Sequence, residues 1–96
     1  MSKSEKDRAR LRLIISGRVQ GVYFRASAAN EADKLGLTGY ARNLPNHKVE
    51  IVAEGPIDTL KSLAQWAHHG PPDARVDNVS EQWLPFLAEF DSFRIA

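Results

Sequence analysis

The residues with the types and spacing to do chemistry stand together at 17–25: Gly17, Arg18, Val19, Gln20, Gly21, Val22, Tyr23, Phe24 and Arg25. They follow an apolar run, Leu11, Arg12, Leu13, Ile14 and Ile15, with the character of a strand. They lead into Ala26, Ser27, Ala28, Ala29, Asn30, Glu31 and Ala32, with the character of a helix. A glycine-containing loop between a strand end and a helix start turns several backbone N–H groups toward one spot, and the positive end of the helix dipole adds to the field there. Arg25 is the unusual member. A cation in the first helical turn faces that dipole with the wrong sign, costing about 0.3–1 kcal/mol when exposed, and a bound phosphate reverses the sign. The loop reads as a phosphate cradle built from Gly17, Arg18, Val19, Gln20, Gly21, Val22 and Tyr23, with Arg25 as its clamp. It lacks the Lys-Ser/Thr ending of a Walker A loop and the closely spaced glycines of the dinucleotide fingerprint, so ATP and NAD are poor matches.

A second group is Gly39, Tyr40, Ala41, Arg42 and Asn43. Asn43 closes a strand just before a turn that contains Pro45. Taken alone, its amide would serve only that turn.

The elements that must position these groups can be read along the chain. Residues 11–16 form a central strand, and Phe24, Ala28, Ala32 and Leu35 recur at helical spacing with Gly36 as the terminating residue. Residues 38–43 and 48–54 make a hairpin. Val49, Ile51 and Ala53 face one way, while Lys48, Glu50, Val52 and Glu54 face the other. Pro56 opens a second helix with the apolar stripe Ile57, Leu60, Leu63, Ala64 and Ala67, and Gly70, Pro71 and Pro72 stop it. Val76 and Val79 lie three apart, which breaks period two and predicts a bulge in the next strand. Trp83 and Leu84 continue that strand, Pro85 interrupts it, and Phe93 with Ile95 forms a short final edge strand. The order predicts an α+β, ferredoxin-like β-α-β-β-α-β sandwich, with two helices on one face of an antiparallel sheet and a small added C-terminal strand. In that topology Asn43 comes within reach of the loop.

The 96 residues suit one domain: a flexible tail at 1–10 and a single folded unit at 11–96. A formal net charge of +1 gives no electrostatic case for nucleic acid or an acidic membrane, and no apolar run approaches spanning length. Without cysteine there is no disulfide, thiol nucleophile or thiolate metal site, which suits the cytoplasm. A monomer is expected, since no long apolar surface stripe is visible. His68 and His69 are adjacent on a helix, about 100° apart, and unsuited to one metal. They, and His47, are assigned to solvent. Trp66 and Trp83 are assigned to packing, and Glu50 and Glu54 to a solvated strand face.

The two groups together resemble the acylphosphatase family, whose signatures look like Gly-x-Val-Gln-Gly-Val-x-Phe-Arg and Gly-aromatic-Ala-x-Asn. Gly17, Val19, Gln20, Gly21, Val22, Phe24 and Arg25 match the first, and Gly39, Tyr40, Ala41 and Asn43 the second. Val49, Gly55, Gly70, Pro71, Pro72, Ala74, Arg75 and Val76 extend the match, so it runs from about Leu11 to the end. The resemblance implies a hydrolase that cleaves the carboxyl–phosphate bond of acyl phosphates, giving a carboxylate and inorganic phosphate. Arg25 and the loop N–H groups would hold the phosphoryl oxygens, and Asn43 would orient the attacking water. A carboxylate leaves without a general acid, and phosphoryl transfer needs mainly positioning and charge stabilisation. No cofactor or metal is therefore expected. His47 departs from the pattern, because the family usually has glycine at that hairpin tip; either the turn is rearranged or His47 accepts the strain. Two other functions fit the topology: a non-catalytic anion sensor on the same cradle, and an RNA-binding module. The second needs stacking aromatics on the central strands, and residues 11–15 and 48–54 contain none.

Overall fold

The computed structural model describes residues 7–96 of the chain. Among the described residues seven elements follow one another: β1 (Arg8–Arg18), α1 (Phe24–Lys34), β2 (Thr38–Asn43), β3 (Val49–Pro56), α2 (Ile57–Ala67), β4 (Arg75–Leu84) and β5 (Phe93–Ile95). The strands form one five-stranded sheet in the order β4-β1-β3-β2-β5. β1 pairs antiparallel with both β3 and β4, and β2 pairs antiparallel with β3. The added strand differs in direction: β5 runs parallel to β2, which makes the sheet mixed. Both helices pack on one face, α1 over β2 and β5 and α2 over β1 and β3.

Alternation along the strands decides which face is which. Leu11, Leu13 and Ile15 of β1 and Val49, Ile51 and Ala53 of β3 point toward the helices and are fully buried. They meet Phe24, Ala28 and Ala32 of α1 and Leu60, Leu63, Ala64 and Ala67 of α2 in one apolar cluster. The alanines let α1 lie close to the sheet. α2 begins one residue after Pro56, which sits just outside the helix in extended conformation.

Two expectations need correcting. β1 begins at Arg8, so Arg8, Ala9 and Arg10 belong to the strand and not to a tail; residues 1–6 lie outside the described residues. Each has a partner that holds it: Arg8↔Pro56, Ala9↔Gly55 and Arg10↔Glu54 are in register across β1 and β3. The second correction concerns Glu50 and Glu54, which are 2% and 1% exposed. Their face of the sheet is covered. β4 and β5 lie on opposite edges, so the chain between them must cross four strand spacings, about 19 Å. Residues 85–92 make that crossing over the face without helices. Glu54 accepts hydrogen bonds from the backbone N–H groups of Leu87 (2.7 Å) and Glu89 (2.9 Å) in this strap. The Phe90 ring lies 5.0 Å from the Arg10 guanidinium and 5.9 Å from the Tyr40 ring. Periodicity separates the two faces of a strand but cannot show that a later loop will cover the polar one.

The predicted bulge is present. Ser16 pairs with Asn78 but Gly17 with Val76, leaving Asp77 as the extra residue on β4. Gly17 is needed here, because a Cβ would run into the Arg75 carbonyl.

Candidate active site

The loop after β1 leads directly into α1, and the first turn of that helix is set by Phe24. Its ring is 1% exposed and packs at 5.3 Å on Trp66 of α2, a contribution of about 2–3 kcal/mol from burial. With Phe24 turned inward, the next residue projects about 100° away around the helix. Arg25 thereby faces a surface cleft of about 390 Å³ lined also by Val19, Gly21, Tyr23 and Asn43. Its Nη1 donates to the Ala96 carbonyl at 2.9 Å, and the Ala96 N–H donates to the Ala41 carbonyl at 2.9 Å. The arginine is thus tied to the β2–β5 edge that carries Asn43.

The helix start is uncapped. Tyr23 is the N-cap residue, its side chain makes no capping hydrogen bond, and there is no acidic residue in the first turn. The first N–H groups of an α-helix have no partner within it, so here they and the dipole remain directed at whatever anion enters. Gly21 takes φ +75, and Tyr23 takes φ 64 without being glycine. This left-handed step turns the chain from the loop into the helix.

Asn43, the last residue of β2, is exposed and faces the same cleft as Arg25. Its strand end is fixed to the loop by Gln20, whose Nε2 donates to the carbonyls of Leu44 (2.9 Å) and Lys48 (2.8 Å). The turn is closed by the Leu44 N–H donating to the Lys48 carbonyl at 2.8 Å. One amide therefore joins the cradle to the hairpin immediately after Asn43.

The seven residues expected around the anion divide. Val19, Gly21 and Tyr23 line the cleft. Gly17 and Arg18 lie in β1, paired with β4, Gln20 turns its side chain to the hairpin, and Val22 packs into the core at 7% exposure. Ala26 and Ile95 line the cleft without having been singled out. Ile95 arrives through the parallel pairing of β5 with β2, and only its apolar character in an edge strand hinted at it. His68 approaches Glu81 at 3.9 Å and lies outside this cleft, Trp66 is half-buried against Phe24, and Trp83 is 40% exposed rather than packed. Among the described residues, no group of His, Cys, Asp and Glu is placed to hold a metal ion.

On the strapped face, directly behind the end of β2, Glu50 gathers three donors. Arg12 Nε donates at 2.6 Å, Arg42 Nε donates to the other oxygen, and the Tyr40 hydroxyl donates at 3.2 Å. Burial by itself would raise the Glu50 pKa, but hydrogen bonds and charge from Arg12 and Arg42 outweigh it and hold the carboxyl below its usual range. Tyr40 is pushed up by burial and by the adjacent Glu50 carboxylate.

The sequence model of the acylphosphatase family matches residues 11–95. The chain belongs to the acylphosphatase family. It is 55% identical over 85 residues to an acylphosphatase of Marinobacter nauticus, covering 88% of this chain and 92% of that one. An acylphosphatase of Anaeromyxobacter dehalogenans is 47% identical over 93% of this chain and 96% of its own. Among solved structures, an acylphosphatase from Coxiella burnetii superposes with a TM-score of 0.92 at 38% identity over 100% of both chains. One from Bacillus subtilis gives 0.88 at 38% identity, covering 92% and 98%. No helix among the described residues is long and apolar enough to cross a membrane.

Proposed function

We propose that this chain, an enzyme of the acylphosphatase class, hydrolyses the carboxyl–phosphate bond of acyl phosphates through Arg25 and Asn43, without a metal. The observation that carries the reading is that Arg25 and Asn43, from separate elements, line one cleft together with the uncapped start of α1. Arg25 and the N–H groups of the loop bind the phosphoryl oxygens and stabilise the charge spread over them in the transition state. Asn43 orients a water in line with the bond to be broken. The water oxygen bonds to phosphorus as the phosphorus–oxygen bond to the acyl group breaks, and the carboxylate leaves with that electron pair. The proton lost by the water passes to a phosphate oxygen of the substrate or to solvent, because an amide is no base at neutral pH. A carboxylate needs no proton on departure. The enzyme acts as a monomer in the cytoplasm on this reading. The sheet face that an RNA-binding module of this topology would present is occupied by residues 85–92, held by Glu54, which favours the cleft over that face as the site of function.

The test is hydrolysis of benzoyl phosphate by the wild type, Arg25→Ala and Asn43→Ala, each checked for folding by circular dichroism. Loss of Arg25 is expected to lower kcat/KM by about 10³-fold or more, by analogy with other arginines on transferring phosphoryl groups. Loss of Asn43 is expected to lower kcat by about 10²–10³-fold. Chelator should leave the rate unchanged. Phosphate binding by a wild type that turns over no acyl phosphate would leave a sensor in place of the enzyme.

A further inference from the structure

Four large hydrophobic side chains are exposed among the described residues, and two of them, Tyr23 at 80% and Ile95 at 51%, line the cleft that holds Arg25 and Asn43. They come from different elements. Tyr23 is the residue before α1, and Ile95 is in β5 opposite Ala41 of β2. Tyr23 also has an unfavourable backbone, φ 64 and ψ 26, at a position where glycine would be free of strain. A non-glycine residue held in that region costs on the order of 1–3 kcal/mol, and such strain collects where a side chain has work to do. Among the described residues the Tyr23 ring packs on no other ring, and its hydroxyl makes no hydrogen bond.

From this we infer that Tyr23 and Ile95 form the subsite for the acyl part of the substrate, and that this subsite selects aryl and other bulky apolar acyl phosphates over acetyl phosphate. The inference rests on the proposed hydrolysis and adds the substrate class to it. In-line displacement sends the leaving group away from the attacking water. With the phosphoryl group on the cradle and Arg25, the acyl chain therefore projects away from them toward the rest of the cleft lining. There it meets an aromatic ring and a branched aliphatic side chain, and neither offers a charge or a carbonyl to a polar acyl group. An aryl ring can stack on Tyr23 in an offset or edge-on arrangement and remove both apolar surfaces from water. Acetyl phosphate is too short to use either.

The experiment compares kcat/KM for benzoyl phosphate and acetyl phosphate in the wild type, Tyr23→Phe, Tyr23→Gly and Ile95→Ser. In parallel, binding of benzylphosphonate and methylphosphonate is measured by calorimetry. The wild type should prefer benzoyl phosphate. Tyr23→Gly should reduce the benzoyl-to-acetyl ratio about five- to tenfold, mostly through KM, Ile95→Ser should reduce it less, and Tyr23→Phe should keep it. Benzylphosphonate should lose its advantage over methylphosphonate in the same variants. An unchanged ratio in Tyr23→Gly, or equal losses for both substrates, overturns the subsite while leaving the hydrolase intact. Tighter benzylphosphonate binding that depends on Tyr23, in a protein that turns over neither acyl phosphate, upholds the subsite and overturns the hydrolase.

Discussion

His47 sits at the turn between β2 and β3 with φ 68, so of the two outcomes open at the hairpin tip it is the strained residue and not a rearranged turn that occurs. A side chain in the left-handed region costs about 1–2 kcal/mol, since its Cβ crowds the following carbonyl. Glycine relieves that crowding but returns about 0.5–1 kcal/mol of backbone entropy to the unfolded chain. His47→Gly is therefore expected to stabilise the fold by about 0.5–1 kcal/mol, raising Tm by about 2–6 °C for a domain of this size. Differential scanning calorimetry checks it, and a lowered Tm would mean that the imidazole holds the turn by a contact. His47 is exposed and outside the cleft-lining residues, so benzoyl phosphate turnover should follow the wild type.

At the scale of elements, the site is an agreement between a helix start and a hairpin end, and Gln20 is what makes them agree. Both of its hydrogen bonds go to carbonyls in the turn that follows Asn43. Gln20→Leu keeps the bulk and removes both bonds, leaving the carbonyls to water. The expected stability loss is about 1–2 kcal/mol, measured by urea titration. The more telling readout is kinetic. With the cradle intact but Asn43 free to drift, kcat should fall about 10–100-fold while inhibition by inorganic phosphate changes little; a loss of phosphate affinity as large as the loss of kcat would place Gln20 in the cradle itself. Much of this was legible in the chain: the glycine loop between strand and helix, the alternation of β3, the odd spacing of Val76 and Val79, and the approach of Asn43 to the loop that leads to Arg25. The destination of the Gln20 side chain was not, because nothing local to residue 20 points 24 residues ahead. The contributions of Ile95 and Ala96 were hidden for the same reason, since they depend on β5 reaching the far edge of the sheet.

For the whole molecule, the strap changes what the second face of the sheet is. Read as a strand, β3 has a core side and a wet side; as folded, both sides are covered, and every residue at 49–55 is buried. A carboxylate can occupy such a place only with partners. Glu50 has two arginines and a tyrosine, and one of those arginines, Arg42, stands next to Asn43 on β2. Because the Glu50 pKa is held below its ordinary value of 4.5, the carboxylate stabilises the fold at every pH above that value, and this contribution is lost as pH falls through the lower, folded pKa. Glu50→Gln keeps the shape but gives up the charge. Arg12 and Arg42 are 40% and 50% exposed, so both can turn to water, which limits the damage. We expect a loss of about 1–2 kcal/mol at neutral pH, within the range for hydrogen bonds to a charged group. Urea unfolding of wild type and variant from pH 7 down to pH 3 tests both parts at once. The two stabilities should differ most near neutrality and converge as the solution is acidified below about pH 4, with the variant showing the shallower fall. Parallel curves over that range would mean that Glu50 contributes through its hydrogen bonds and packing alone, and that its ionisation does not couple to folding.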